Sequence, residues 1–145
     1  MKVTVVHGEG YEKALSYTDI EVPSSAELSR YIRRLNMDTD LILGDDKEGP
    51  SCLISKSKGL NYLLEFYTKS IDIYHSLIDH PVSTGTLFID EEDIKPMLDI
   101  GFKKTLQAAT YFFEHGKMDP SLAWAVNYVH EDHKSYHDGR EPEFF

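Results

Sequence analysis

The chain has 145 residues, with 25 Asp and Glu against 15 Lys and Arg, a formal net charge of −10 and a single cysteine, Cys52. That length suits one domain with a sizeable core, and one cysteine excludes an intrachain disulfide. The acidic balance argues against direct nucleic-acid binding, which requires a positive face for the phosphates.

Lys2 is followed by only four β-branched residues, Val3 to Val6, too few for a signal-peptide core, and no apolar run approaches bilayer-spanning length. A cytoplasmic protein without membrane contact is therefore expected. Lys2 to His7 has the β-branched density of a strand, and Gly8-Glu9-Gly10-Tyr11 reads as a turn. A strand followed by Gly-x-Gly invites a dinucleotide-binding reading, but Lys13 stands where that fingerprint needs its third glycine. Tyr17 to Val22 predicts a second strand, ended by Pro23. Ser24-x-x-Glu27 then has the form of a capping box, and Leu28, Tyr31, Ile32 and Leu35 follow at helical spacing. This predicts a first helix over residues 25–35, with Arg30, Arg33 and Arg34 on its solvated side.

From residue 40 to 68 the pattern changes to short strands at Leu41–Leu43, Cys52–Ser55 and Asn61–Thr68, joined by polar turns, which predicts an antiparallel meander. The first turn carries Asp45, Asp46 and Glu48. Residues 71–78 fit a strand or a helix equally. Thr84 to Ile89 reads as another strand, leading into Asp90, Glu91, Glu92 and Asp93.

The most definite stretch runs from Ile100 to Tyr128. Phe102, Leu106, Ala109 and Phe113 recur at spacings of three and four, predicting a helix that ends at Gly116, with Pro120 just beyond. Leu122, Trp124, Val126 and Tyr128 alternate with smaller residues as a strand does. The expected fold is a single α+β domain over residues 1–129, with a mostly antiparallel sheet and two principal helices packed on it. Residues 130–145 are expected to form a polar C-terminal tail.

On a helix, the spacing of His130, His133 and His137 would bring three imidazoles together, enough to hold zinc with a fourth position open to water. That pattern supports an alternative reading as a metal-dependent hydrolase. A solvated tail is the preferred account, because catalytic metal sites need rigid placement. No catalytic residue, metal or cofactor is expected. The carboxylates of 90–93 suit a solvated cluster or a contact surface for cationic side chains better than an acid–base pair, since neighbours on an exposed loop share one environment.

The run Phe112-Phe113-Glu114-His115-Gly116-Lys117-Met118-Asp119-Pro120-Ser121-Leu122-Ala123-Trp124 resembles the C-terminal signature of the first-numbered immunity-protein family of bacterial polymorphic toxin systems. In that signature Phe113, Gly116, Pro120 and Trp124 are structural. The resemblance implies a non-enzymatic cytoplasmic inhibitor that covers the active site of a cognate toxin, often a nucleic-acid deaminase or nuclease. The acidic composition agrees, because such a toxin needs a basic groove for its substrate. On this reading Asp45, Asp46, Glu48, Asp90, Glu91, Glu92 and Asp93 are candidate partner-binding residues, with Tyr67 and Tyr74 as aromatic anchors.

Overall fold

A computed structural model describes residues 1–8, 15–44, 49–57, 59–68, 73–80, 88–89, 95–130 and 133–138. Among these, nine strands form one sheet: β1 (Val3–His7), β2 (Ser16–Ile20), β3 (Thr39–Gly44), β4 (Ser51–Lys56), β5 (Tyr62–Tyr67), β6 (Ile73–Ile78), β7 (Phe88–Ile89), β8 (Ala123–His130) and β9 (His133–Asp138). Their order is β2-β1-β3-β4-β5-β6-β8-β9-β7, and each neighbouring pair is antiparallel. Two helices, α1 (Leu28–Arg33) and α2 (Phe102–His115), lie on one face, so the fold is α+β.

The core follows from strand alternation. Val3, Leu41, Leu43, Cys52, Ile54, Leu64, Phe66, Leu77 and Trp124 point to the helices, where they meet Leu28 and Ile32 of α1 and Ala108, Ala109 and Phe112 of α2. The stripe on α2 is rotated slightly from the expected one. Thr105, Ala108, Ala109 and Phe112 are fully buried, while Phe102, Leu106 and Phe113 flank them half-buried. Small residues at the closest approach let the helix lie near the sheet, and the Thr105 hydroxyl donates to Gly101 O at 2.9 Å, so it is buried without an orphaned donor.

The first helix begins differently from its capping-box sequence. Its entry is a 3-10 turn, Ser25–Glu27, in which the Glu27 amide donates to Ser24 O at 3.1 Å and the Ser24 side chain makes no capping bond. The neighbouring hydroxyl, Ser25 Oγ, donates to Glu114 at 2.8 Å and ties the start of α1 to the end of α2. Arg33 lies 4.2 Å above the Phe102 ring, a second tie between the helices.

Gly116 closes α2 in the left-handed conformation, φ 70° and ψ 19°, as its sequence position predicts. Asp119-Pro120-Ser121-Leu122 then turns the chain. The Leu122 amide donates to Asp119 O at 3.2 Å, and the Ser121 amide and hydroxyl donate to the Asp119 carboxylate at 2.9 and 2.7 Å. Burial pushes the Asp119 pKa up, but the Ser121 bonds, with Gln107 and the nearby His115, outweigh it and hold the group below its ordinary value of 3.8. A depressed folded pKa means that this stabilisation is present above about pH 4 and is lost as pH falls through the folded value. Asp119→Asn is expected to cost about 1–2 kcal/mol at pH 7, with the two proteins converging in urea titrations repeated towards pH 2.

One expectation needs correction and one open reading is resolved. The segment from His130 onward is not a tail as far as Asp138, because His133–Asp138 pairs along β8 as strand β9. Of the stretch 71–78, which the sequence leaves ambiguous, the described residues Ile73–Ile78 form β6, the strand between β5 and β8.

Candidate functional site

The second face of the sheet carries no α-helix among the described residues, and it divides into a covered and an open part. Over β6 and β8 it is covered: Met97 and Leu98 of a 3-10 helix, Lys95–Leu98, pack on Ile78 and Ala125. Asn127 and Ser76 are buried beside them, with Asn127 Nδ2 donating to Ser76 Oγ at 2.8 Å. Over β2, β1, β3, β4 and β5 it is more open: Thr4, Val6 and Ser51 are buried on it, but no helix among the described residues lies over its centre. Register places Ile42 beside Leu53, and Leu63 beside Ser55, all half-buried. Around them stand Asp19, Asp40 and Glu65, with Tyr17 and Tyr67 at opposite sides. No lysine or arginine of these five strands faces this way. An apolar centre with a rim of carboxylates and tyrosines has the anatomy of a protein-binding surface.

The opposite layer has the opposite charge. Residues 25–35 and 101–117, which hold both helices, contain Arg30, Arg33, Arg34, Lys103, Lys104 and Lys117 against only Glu27 and Glu114. That layer is therefore +4 in a chain of −10, leaving −14 on the sheet strands and loops. The helical segments are thus basic in an acidic chain, and the charged side chains that the described strands β1 to β5 place on the other face, Asp19, Asp40 and Glu65, are all carboxylates.

Of the residues singled out in the sequence, Tyr67 and Tyr74 are brought together. Their rings stack at 4.9 Å and 17°. Tyr67 is half-buried, and burial together with the adjacent Glu65 carboxylate, which shares a hydrogen bond with it, pushes its pKa up and keeps the hydroxyl protonated. Tyr74 is 5% exposed, so it supports the Tyr67 ring from below and presents almost no surface of its own. Asp45, Asp46, Glu48, Asp90, Glu91, Glu92 and Asp93 lie outside the described residues. Sequence reasoning missed Asp19, Asp40, Ile42, Leu53 and Glu65. The alternation within each strand assigns these residues to a face, but only the pairing register makes them neighbours.

The structural motif is where the sequence places it. Trp124 is buried on the helix side of β8, and its Nε1 donates to Asp119 O at 2.9 Å, joining strand to turn. Phe113 flanks the core, and Gly116 and Pro120 shape the two ends of the turn.

The three histidines do not form the helical cluster considered above. His130 and His133 are paired across the β8–β9 hairpin, while His137 pairs with Val126 and Phe88. Three residues lie between His133 and His137 on β9, which sets their backbones about 13 Å apart at 3.3–3.4 Å per residue, instead of the single helical turn that the metal reading assumed. Among the described residues no group of three His, Cys, Asp or Glu is arranged to hold a metal.

Cys52 is buried on the helix side of β4, and burial, reinforced by Glu65, pushes its thiol pKa up. A thiol so placed is neither nucleophile nor ligand. We expect thiol-specific reagents to modify native Cys52 only at the rate at which the domain opens, with labelling accelerated in proportion as urea destabilises the fold; fast labelling in buffer would contradict this placement.

A groove of about 420 Å³ also runs along α2, between Leu106, Thr110, Tyr111 and Asp119. Its amide and carboxylates are already engaged, Gln107 and Ser121 with Asp119, and Glu114 with Ser25. It offers no convergent reactive groups.

No helix among the described residues is long and apolar enough to cross a membrane. No protein-family model, curated protein or solved structure matches the chain.

Proposed function

We propose that this chain is a non-enzymatic immunity protein, acting in the cytoplasm, that neutralises a basic toxin domain by docking its open acidic sheet face over the toxin's substrate groove. The observation that carries the reading is the make-up of the described sheet face: Asp19, Asp40 and Glu65 stand around apolar side chains with no lysine or arginine of those strands among them, while the helical segments are net positive. A deaminase or nuclease acting on nucleic acid needs a positive groove for phosphates, and an acidic face with an apolar centre competes for it. The resemblance around Phe113 to Trp124 points to the same class.

On this face Tyr67 is the anchor, held upright by Tyr74 behind it and by Glu65. Ile42 and Leu53 supply apolar area, and the carboxylates steer the encounter. Neutralising a lethal enzyme calls for nanomolar affinity, about −12.3 kcal/mol, which an interface of roughly 1,600 Å² with a few buried anchors can supply.

The test begins with a pull-down of the tagged protein with the products of neighbouring genes, followed by calorimetry against any toxin recovered. The double variant Asp40→Lys, Glu65→Lys is then expected to slow association at low salt by about tenfold or more, with the difference shrinking as salt screens the charges. Unchanged affinity and unchanged salt dependence would remove this face from the interface.

A further inference from the structure

Among the described residues, the nine-stranded sheet ends in two strands of unequal character, β7 with two residues and β2 with five. β2 pairs on one side only, with β1, in an unbroken register from His7–Ser16 to Val3–Ile20. Four of its five residues are exposed, and Tyr17 is 63% exposed beside Leu15 at 55%. Natural edges are blunted by proline, lysine, bulges or covering segments, because a free row of amides and carbonyls recruits another strand. The sequence Ser-Tyr-Thr-Asp-Ile contains neither proline nor lysine, its pairing holds no bulge, four of its residues are exposed, and no other described strand lies along its outer side.

The two faces of β2 differ. Ile20 packs against the core on the helix side, while Tyr17 and Asp19 lie on the open acidic face, where Asp19 accepts a hydrogen bond from Thr4 Oγ1 at 2.9 Å. A strand added beside β2 would therefore place every second side chain next to Tyr17 and Asp19. A cation there gains a carboxylate across the strands and an aromatic face. A second copy of this chain is a poor occupant: pairing β2 with β2 about a two-fold axis makes one continuous sheet and sets two acidic faces side by side.

We propose that β2 is a strand-addition site for an extended segment of the partner, one whose side chains are basic on the side of the acidic face and β-branched or apolar on the helix side. Main-chain bonds give it purchase, and Asp19 and Tyr17 select the charge. The partner's basic character rests on the function proposed above; the open edge does not. The added strand extends the acidic face, so one partner can engage edge and face together.

The test uses the full chain, isotopically labelled for NMR, and two capped eight-residue peptides, one alternating lysine with valine and the other alternating glutamate with valine. The lysine peptide is expected to shift the amides of Ser16 to Ile20, to give interstrand contacts to β2 and to slow hydrogen exchange at alternate β2 amides, while the glutamate peptide does none of these. Asp19→Lys should reverse the preference by about tenfold or more, and Asp19→Asn, which keeps an acceptor for Thr4, should weaken the lysine peptide severalfold. Shifts scattered over the acidic face without contacts to β2, or binding indifferent to Asp19, would overturn the assignment. So would a concentration-dependent dimer, seen by sedimentation and abolished by Thr18→Lys, since β2 would then serve a second copy. A failed toxin pull-down leaves the peptide result standing, and a failed peptide titration leaves a toxin complex standing, so the two proposals fall separately.

Discussion

Trp124→Ala is expected to lower the unfolding free energy by about 3–5 kcal/mol, the cost of deleting a large buried aromatic side chain and leaving a cavity. Domains of this kind are held by only about 5–15 kcal/mol, so this single change removes a large share of the total. Trp124 is 7% exposed and lies between Leu77 on the neighbouring strand and the helical layer. Its indole also fastens the strand to the turn through Asp119 O. Trp124→Phe separates the two contributions. It keeps most of the packing and loses the hydrogen bond, and because Asp119 O still accepts from the Leu122 amide, no carbonyl is orphaned. About 1 kcal/mol is expected for that variant. Urea titration followed by far-ultraviolet circular dichroism is the appropriate measurement, since the chain has only this tryptophan. A loss below about 1 kcal/mol in Trp124→Ala would mean that the seam between β8 and α2 is far looser than the structure indicates.

Gly44→Ala is expected to cost about 3 kcal/mol, combining backbone strain with overpacking. Gly44 has φ 90°, and a Cβ there would stand 2.4 Å from Pro50 O and 3.3 Å from the Phe112 ring. The carbonyl belongs to backbone and the ring to the core, so neither yields cheaply. Gly116 is the control. It also has a positive φ, 70°, but nothing lies within 4 Å of the position a Cβ would take. Gly116→Ala should therefore lose only the conformational term, about 1 kcal/mol. Thermal melts of the two variants distinguish steric conflict from backbone preference, and equal losses would argue against the close approach of Pro50.

The second helix and the turn after it were legible because they are governed locally. An apolar stripe at helical spacing, a glycine at the C-terminus and an Asp-Pro-Ser turn each act within a few residues, and Phe102 to Trp124 follows them closely. β6 was not legible because Tyr74, Ser76 and Ile78 are buried on one face while Leu77 is buried on the other, which erases the apolar–polar alternation that marks a half-exposed strand. β9 was missed for the converse reason. His-Lys-Ser-Tyr-His-Asp joins the sheet by main-chain pairing, which leaves no hydrophobic signature. The candidate site was legible only in fragments: Tyr67 drew notice as an aromatic, whereas Asp40, Leu53 and Glu65 come from three strands and become one surface only through pairing.

The seam between β6 and β8 has a consequence for biosynthesis. Strands β3 to β6 are joined by short connections and can pair as hairpins while the chain is still being made. Ser76, however, must wait for Ala125, and Leu77 for Trp124, almost fifty residues later, with α2 intervening. Until that segment emerges, a nascent chain exposes the edge of β6 with Tyr74, Leu77 and Ile78 uncovered by β8. Long-range closures of this kind are slow and leave partly folded chains prone to aggregate. The late arrival of Trp124 thus makes the last third of the chain a kinetic gate for the whole sheet, and yield in the cell should be more sensitive to changes in α2 and β8 than equilibrium stability alone would suggest.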